Sequence, residues 1–217
     1  MANEQGLLRL EKLQPENLKM NETQSFLVPQ DVYLKSGIHI GTKFRTKYME
    51  SFIYKTRTDG LSVLNLQKID ERIKVAAKFL SYYDPADILI VCRRENGWKA
   101  VKALAKNTGI KVFAGRYPPG ILTNSALRNY MEVKIVLVVD SWPDRNAVRD
   151  AIAIGIPVIA LCDTNNQANE IDLVVPCNNK GKKSLGLFFY IIAREYLKHR
   201  GALQGEPSFV VEDFTEE

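Results

Sequence analysis

Residues 135–163 read Ile135-Val136-Leu137-Val138-Val139-Asp140-Ser141-Trp142-Pro143-Asp144-Arg145-Asn146-Ala147-Val148-Arg149-Asp150-Ala151-Ile152-Ala153-Ile154-Gly155-Ile156-Pro157-Val158-Ile159-Ala160-Leu161-Cys162-Asp163. Ile135 to Val139 is an unbroken apolar run, which suits a strand buried on both faces. A polar turn follows, then a predicted helix from about Asp144 to Ile154, closed by Gly155. Pro157 to Leu161 is the next apolar strand. Strand, helix and strand in that order form the repeating unit of a parallel sheet.

The alternation continues in both directions. Upstream, Gln67 to Tyr82 reads as a helix with Ile69, Ile73, Ala76 and Leu80 on one face. Ile88 to Cys92 is a strand, Gly97 to Thr108 a helix stopped by Gly109, and Lys111 to Ala114 a strand. Downstream, Ile171 to Val175 is a strand and Lys182 to His199 a helix, with Leu185, Phe188, Phe189, Ile192 and Tyr196 directed inward. The prediction is an α/β fold with a mostly parallel central sheet covered on both faces.

Ahead of this unit, Asp31 to Ser36 reads as a helical turn and Gly37 to Gly41 as a tight loop. Phe52 to Tyr54 and Leu61 to Leu64 read as strands joined by a polar turn, Lys55 to Gly60, whose Asp59-Gly60 is a hairpin signal. Residues 1–30 are expected to be an extension, in which Leu7, Leu8, Leu10 and Leu13 suit a short helix that Pro15 stops. Residues 31–201 then form a single α/β domain and 202–217 an acidic tail. The tail's apolar residues are few, chiefly Phe209, Val210, Val211 and Phe214. It is therefore expected to be flexible, or to dock only on a partner.

The 217 residues are 46% hydrophobic and 25% charged, which excludes wholesale disorder and collagen-like repeats. The longest apolar run, Ala151 to Cys162, has twelve residues and contains Gly155 and Pro157. A bilayer span takes about 20, so no membrane partner is expected. No basic region followed by an apolar one opens the chain, so no signal peptide is expected. Cys92, Cys162 and Cys177 lie far apart in apolar runs, which favours buried reduced thiols and a reducing cytoplasm over disulfides or zinc. Asn21-Glu22-Thr23 fits a glycosylation sequon, but without a secretion route it carries no meaning.

The net charge of +5 hides an asymmetry. Residues 206–217 hold five acids and no base, so residues 1–205 carry +10. From Lys35 to Arg57, six bases (Lys35, Lys43, Arg45, Lys47, Lys55, Arg57) face one acid, Glu50, among Phe44, Tyr48, Phe52 and His39. Cations that neutralise phosphate, interleaved with aromatics that stack, suit RNA; a solvated basic surface is the plainer alternative.

In an open parallel sheet, ligands bind at the edge formed by the strands' C-terminal ends. That edge can be read here: Arg93-Arg94, Gly115-Arg116-Tyr117, Asp140-Ser141-Trp142, Asp163 to Asn166, and Asn178 to Lys183. A nucleotide-binding enzyme is the rival reading for such a fold. The nearest approach to a phosphate loop is Gly181-Lys182-Lys183-Ser184, with Lys183 where Ser or Thr belongs and Pro176 five residues before Gly181. No GxGxxG follows a strand, and the two histidines, His39 and His199, have no nucleophile near them in sequence. Asp140 and Asp163 end strands, a place for catalytic carboxylates and equally for turn or cap residues. Lys182 and Lys183 oppose the helix dipole where a helix should begin, which a phosphate partner would relieve unless the helix starts a residue or two later. The clusters Lys43, Arg45, Lys47 and Lys180, Lys182, Lys183 lie in segments with little to bury, so both are expected to tolerate charge removal in the folded state.

Five segments in order resemble the universal ribosomal protein S-two family of the small subunit, in its archaeal and eukaryotic form. They are Gly37-Ile38-His39-Ile40-Gly41; Met49 to Tyr54; Gly115-Arg116-Tyr117-Pro118-Pro119-Gly120 with Thr123-Asn124; Gly155 to Asn165; and Val175 to Gly181 with Leu187 to Gly201. Bacterial members carry a helical hairpin after the Thr-Asn, but only Ser125 to Lys134 stand here, and Thr42 replaces a second histidine. The resemblance implies a flavodoxin-like three-layer sandwich preceded by a β-hairpin. It also implies a non-catalytic constituent of the small ribosomal subunit in the cytoplasm, with no cofactor, no metal and no small-molecule substrate. Its partners would be small-subunit ribosomal RNA and neighbouring ribosomal proteins. Candidate RNA-binding residues are His39, Lys43, Arg45, Lys47, Arg57, Arg93, Arg94, Arg116, Lys180, Lys182 and Lys183.

Overall fold

The computed structural model describes residues 26–215. The leucine pattern before Pro15, the sequon and the last two glutamates lie outside the described residues. The elements run α1 (Gln30–Ser36), β1 (Ile53–Thr56), β2 (Ser62–Leu64), α2 (Leu66–Ser81), β3 (Ile88–Cys92), α3 (Trp98–Thr108), β4 (Lys111–Ala114), β5 (Ile135–Val138), α4 (Arg145–Ile154), β6 (Val158–Cys162), β7 (Leu173–Pro176), α5 (Lys182–His199) and α6 (Val211–Phe214).

Five strands form one parallel sheet in the order β4-β3-β5-β6-β7. This is the flavodoxin-like order, one strand to one side of the first and three to the other. β3, β5 and β6 are buried along their whole length, which is why their sequences are unbroken apolar runs. α2, α3 and α5 pack together, while α4 packs on β5 and β6. Right-handed crossovers require that split, because the connections through α3 and α4 leave the sheet's centre in opposite directions. β4 and β5 are joined by turns alone. Tyr117 and the amide of Gly120 donate to Asp150 of α4 at 2.9 and 2.6 Å, and Ile121 and Leu122 are buried, so this segment covers the sheet beside α4.

β1 and β2 pair antiparallel as a separate hairpin. The strand starts one residue later than expected, since Phe52 ends a short 3₁₀ turn, and it runs on to Thr56, which pairs with Ser62. α5 starts at Lys182, so the lysines do stand in its first turn. All three cysteines are buried and free. Burial pushes the Cys92 and Cys162 thiols up to about 12 and Cys177 well above its usual value.

The expectation of a flexible or partner-docked tail is corrected. Phe209 and Phe214 are 5% and 1% exposed and form a ring cluster with Tyr190 of α5 at 5.6–6.0 Å between centroids. Gly186 of α5 is what admits them, because a Cβ there would overlap Thr215 and meet the Phe214 carbonyl at 3.0 Å. At the other end the described chain is also tied down before α1. Val28 is buried, and the Leu27 amide donates to Asp70 at 2.9 Å. Among the described residues no helix is long and apolar enough to cross a membrane.

Candidate nucleic-acid interface

The C-terminal edge of the sheet is stitched shut by its own side chains. After β3, Arg94 donates from Nε (2.8 Å) and Nη2 to Asp140 Oδ2, beyond β5. Asp140 Oδ1 accepts from Asn166 Nδ2 at 2.8 Å and from the Trp142 amide at 3.1 Å. Asn166 Oδ1 accepts from the Asp163 amide at 2.8 Å and from Asn179 Nδ2 at 3.1 Å. Lys180 Nζ meets Asp163 Oδ2 at 2.7 Å and Asn165 Oδ1 at 3.1 Å. Asp140, Asp163, Asn166 and Asn179 are all buried. The two strand-end aspartates are therefore turn residues held in ion pairs, and the network links the ends of β3, β5, β6 and β7.

The early loop closes over this network. The Thr42 amide donates to Thr164 Oγ1 and the Thr46 amide to the Thr164 carbonyl, both at 2.9 Å. Thr46 Oγ1 donates to the Asn166 carbonyl at 2.9 Å. Gly41 permits the approach, since a Cβ there would sit 2.5 Å from the Thr164 methyl. The crevice where this topology receives small ligands, between β3 and β5, is itself bridged by the Arg94–Asp140 pair. Between β3 and β5, where the crossovers diverge, lies Asp144. It is buried and accepts a long bond from the Arg93 amide at 3.5 Å. Burial raises its pKa to about 7, with Asp140 adding to the rise and the Arg93 amide opposing it. Among the described residues no group of His, Cys, Asp and Glu is placed to hold a metal.

The predicted site residues divide into two kinds. Arg94 and Lys180 are half-buried and tied to buried carboxylates, so Lys180 does not share the expected tolerance to charge removal. His39 is half-buried, its carbonyl accepts from the Leu64 amide, and burial lowers its pKa, so it is a neutral part of the loop's packing. The other eight, Lys43, Arg45, Lys47, Arg57, Arg93, Arg116, Lys182 and Lys183, are exposed. Arg45 has a loose pair with Glu50 at 3.8 Å, Arg57 pairs with Asp59 at 3.2 Å, and Arg93 Nη1 donates to the Pro143 carbonyl at 3.3 Å. The 163–166 loop lies between the early loop and Lys180, so it brings the two basic clusters, far apart in sequence, to one edge.

Trp142, 73% exposed at the end of β5, stands at the same edge and was not among the predicted site residues. Its signal was a tryptophan set between Ser141 and Pro143 just after a strand, where burial is not expected. Phe44, in the early loop, is 80% exposed.

Comparison with known proteins agrees with this architecture. The model of the family described as Ribosomal protein S2 matches residues 33–134 and 127–198. Over 177 residues the chain is 50% identical to the small ribosomal subunit protein uS2 of Nanoarchaeum equitans, covering 82% of this chain and 88% of that one. It is 47% identical over 193 residues to uS2 of Methanococcus maripaludis, covering 89% and 88%. It is 49% identical over 178 residues to uS2 of Ignicoccus hospitalis, covering 82% and 84%. With the family model matched along most of the chain and these identities beside it, the chain belongs to the ribosomal protein S2 family.

Proposed function

We propose that this chain is a structural, non-catalytic constituent of the small ribosomal subunit, working in the cytoplasm within the ribosome. It holds small-subunit ribosomal RNA at the C-terminal edge of its sheet. The observation that carries the reading is the division at that edge. Buried carboxylates tie Arg94 and Lys180 inward and close the ligand crevice. Exposed bases and the rings of Phe44 and Trp142 remain on the outside. Exposed cations neutralise phosphates, and exposed rings stack on unpaired bases or ribose. Neighbouring ribosomal proteins are the second class of partner, as the family implies.

The test is the triple Lys43→Gln, Arg45→Gln, Lys47→Gln, scored by melting temperature and by incorporation into small subunits. The expected result is unchanged melting with poor incorporation, and a slope of log K against log salt about 2–3 shallower on ribosomal RNA. Normal melting with normal incorporation and an unchanged slope would place the RNA contacts elsewhere.

A further inference from the structure

α3 carries Lys99, Lys102 and Lys106 and no acid. Spacings of three and four residues put the three ammonium groups on one stripe, opposite the buried stripe of Ala100, Val101 and Leu104. At about 1.5 Å of rise per residue they stand about 4.5 and 6 Å apart along the axis, the scale of neighbouring phosphates in a nucleic-acid strand. Among the described residues no carboxylate lies within ion-pair distance of any of the three, whereas Lys74, Lys134, Lys180, Arg94 and Arg200 all have one. The lysine stripe lines an open groove of about 600 Å³ together with Glu95, Asn96, Trp98, Lys182 and Asp213, so four lysines stand there against two carboxylates. Asn96 Nδ2 donates to the Lys180 carbonyl at 2.7 Å, so the groove continues from the basic sheet edge onto the helix.

The far wall of this groove is the tail. Phe209 and Phe214 anchor it on α5, and Lys99 Nζ donates to the Thr215 carbonyl at 2.5 Å. Asp213 lines the groove while its Oδ2 accepts from the Val210 amide at 2.9 Å, and Glu212 beside it is exposed. Among the described residues, Asp213 is thus held against the stripe by the tail's apolar anchors and not by an ion pair with it.

We propose that the α3 groove is a second surface for RNA backbone phosphates, and that the docked acidic tail is its built-in competitor. The inference rests on the reading of the chain as an RNA-binding protein and adds to it a face and its control. An acidic protein segment is the less suited occupant. The nearby apolar seats on α5 are already filled by Phe209 and Phe214, and in the groove itself four lysines outnumber two carboxylates. A phosphate strand needs only the charge.

The experiment uses full-length protein and deproteinised small-subunit ribosomal RNA, titrated across a salt series. Lys99→Gln, Lys102→Gln, Lys106→Gln together should weaken binding severalfold and make the salt slope about 2–3 shallower, and the three Lys→Arg changes should restore both. Glu212→Gln with Asp213→Asn should tighten binding about two- to fivefold at low salt, and that gain should vanish in the Gln-triple background. If the early-loop triple lowers the slope and the α3 triple does not, this inference falls and the sheet-edge reading stands. If wild-type protein shows no salt-dependent binding, the sheet-edge reading falls with it. An α3 triple that binds naked RNA normally but fails to enter subunits would assign the groove to an acidic protein and overturn the proposal. Should the Gln triple melt early, the Arg triple and the tail pair decide: no gain from removing the tail's acids overturns it.

Discussion

Arg94 and Lys180 at the sheet edge, and Lys99, Lys102 and Lys106 on α3, are all bases set beside apolar residues in sequence. In the structure the first pair reaches inward to Asp140 and Asp163, which are buried, while the α3 lysines are exposed and make no ion pair among the described residues. Removing one member of a buried pair strands the other in a medium that cannot solvate it. Removing an exposed lysine costs almost nothing in the folded state. The difference teaches that a base acts as a strut or as a contact according to the carboxylate it finds in three dimensions, not according to local charge density.

The sharpest way to break this comparison is Arg94→Ala. It leaves Asp140 buried and unpaired, and a loss of about 3–5 kcal/mol is expected in denaturant unfolding. A loss below about 1 kcal/mol would mean that the edge pairs are not struts. Asp144 tests the same edge by pH. An ordinary aspartate ionises near pH 3.9, whereas in the fold Asp144 keeps its proton up to about 7. Between those values the folded chain binds more protons than the unfolded one, so stability falls as pH rises and levels off above about 7. Asp144→Asn is uncharged throughout and should gain on the wild type across that window, by at most about 4 kcal/mol. A difference between the two that is flat with pH would contradict this.

Phe214→Ala should cost about 3 kcal/mol if the tail is part of the core, and should release the tail from the α3 groove. Unchanged melting would return the tail to the flexible state expected from its composition. The smallest effect on stability is expected for Lys43→Gln, Arg45→Gln and Lys47→Gln, within about 0.5 kcal/mol each, even though the effect on subunit incorporation is large. A stability loss there comparable to that of Arg94→Ala would erase the distinction between struts and contacts.

Much of the scaffold was legible from residue order. The bounds of β3, β4 and α5 agree with the apolar runs and the helical stripe that announced them, because those signals are local. Composition points the wrong way for the tail: five acids dominate it, yet two phenylalanines are enough to seat it where Gly186 leaves room. Lys180 likewise has the local look of a member of a basic run, because its partner Asp163 lies 17 residues away, before β7.

By itself the sequence determined the alternation of buried strands and amphipathic helices, the hairpin ahead of them, the absence of a phosphate loop, and the excess of base over acid outside the tail. Period, turn chemistry and composition are properties of neighbours along the chain. Only the tertiary structure decided which bases are consumed and which remain. Arg94 meets Asp140 across 46 residues and Thr42 meets Thr164 across 122, and these pairings depend on the β4-β3-β5-β6-β7 order bringing strand ends to one edge. No local pattern encodes a partner at that distance, because the closure is set by the packing of the whole sheet.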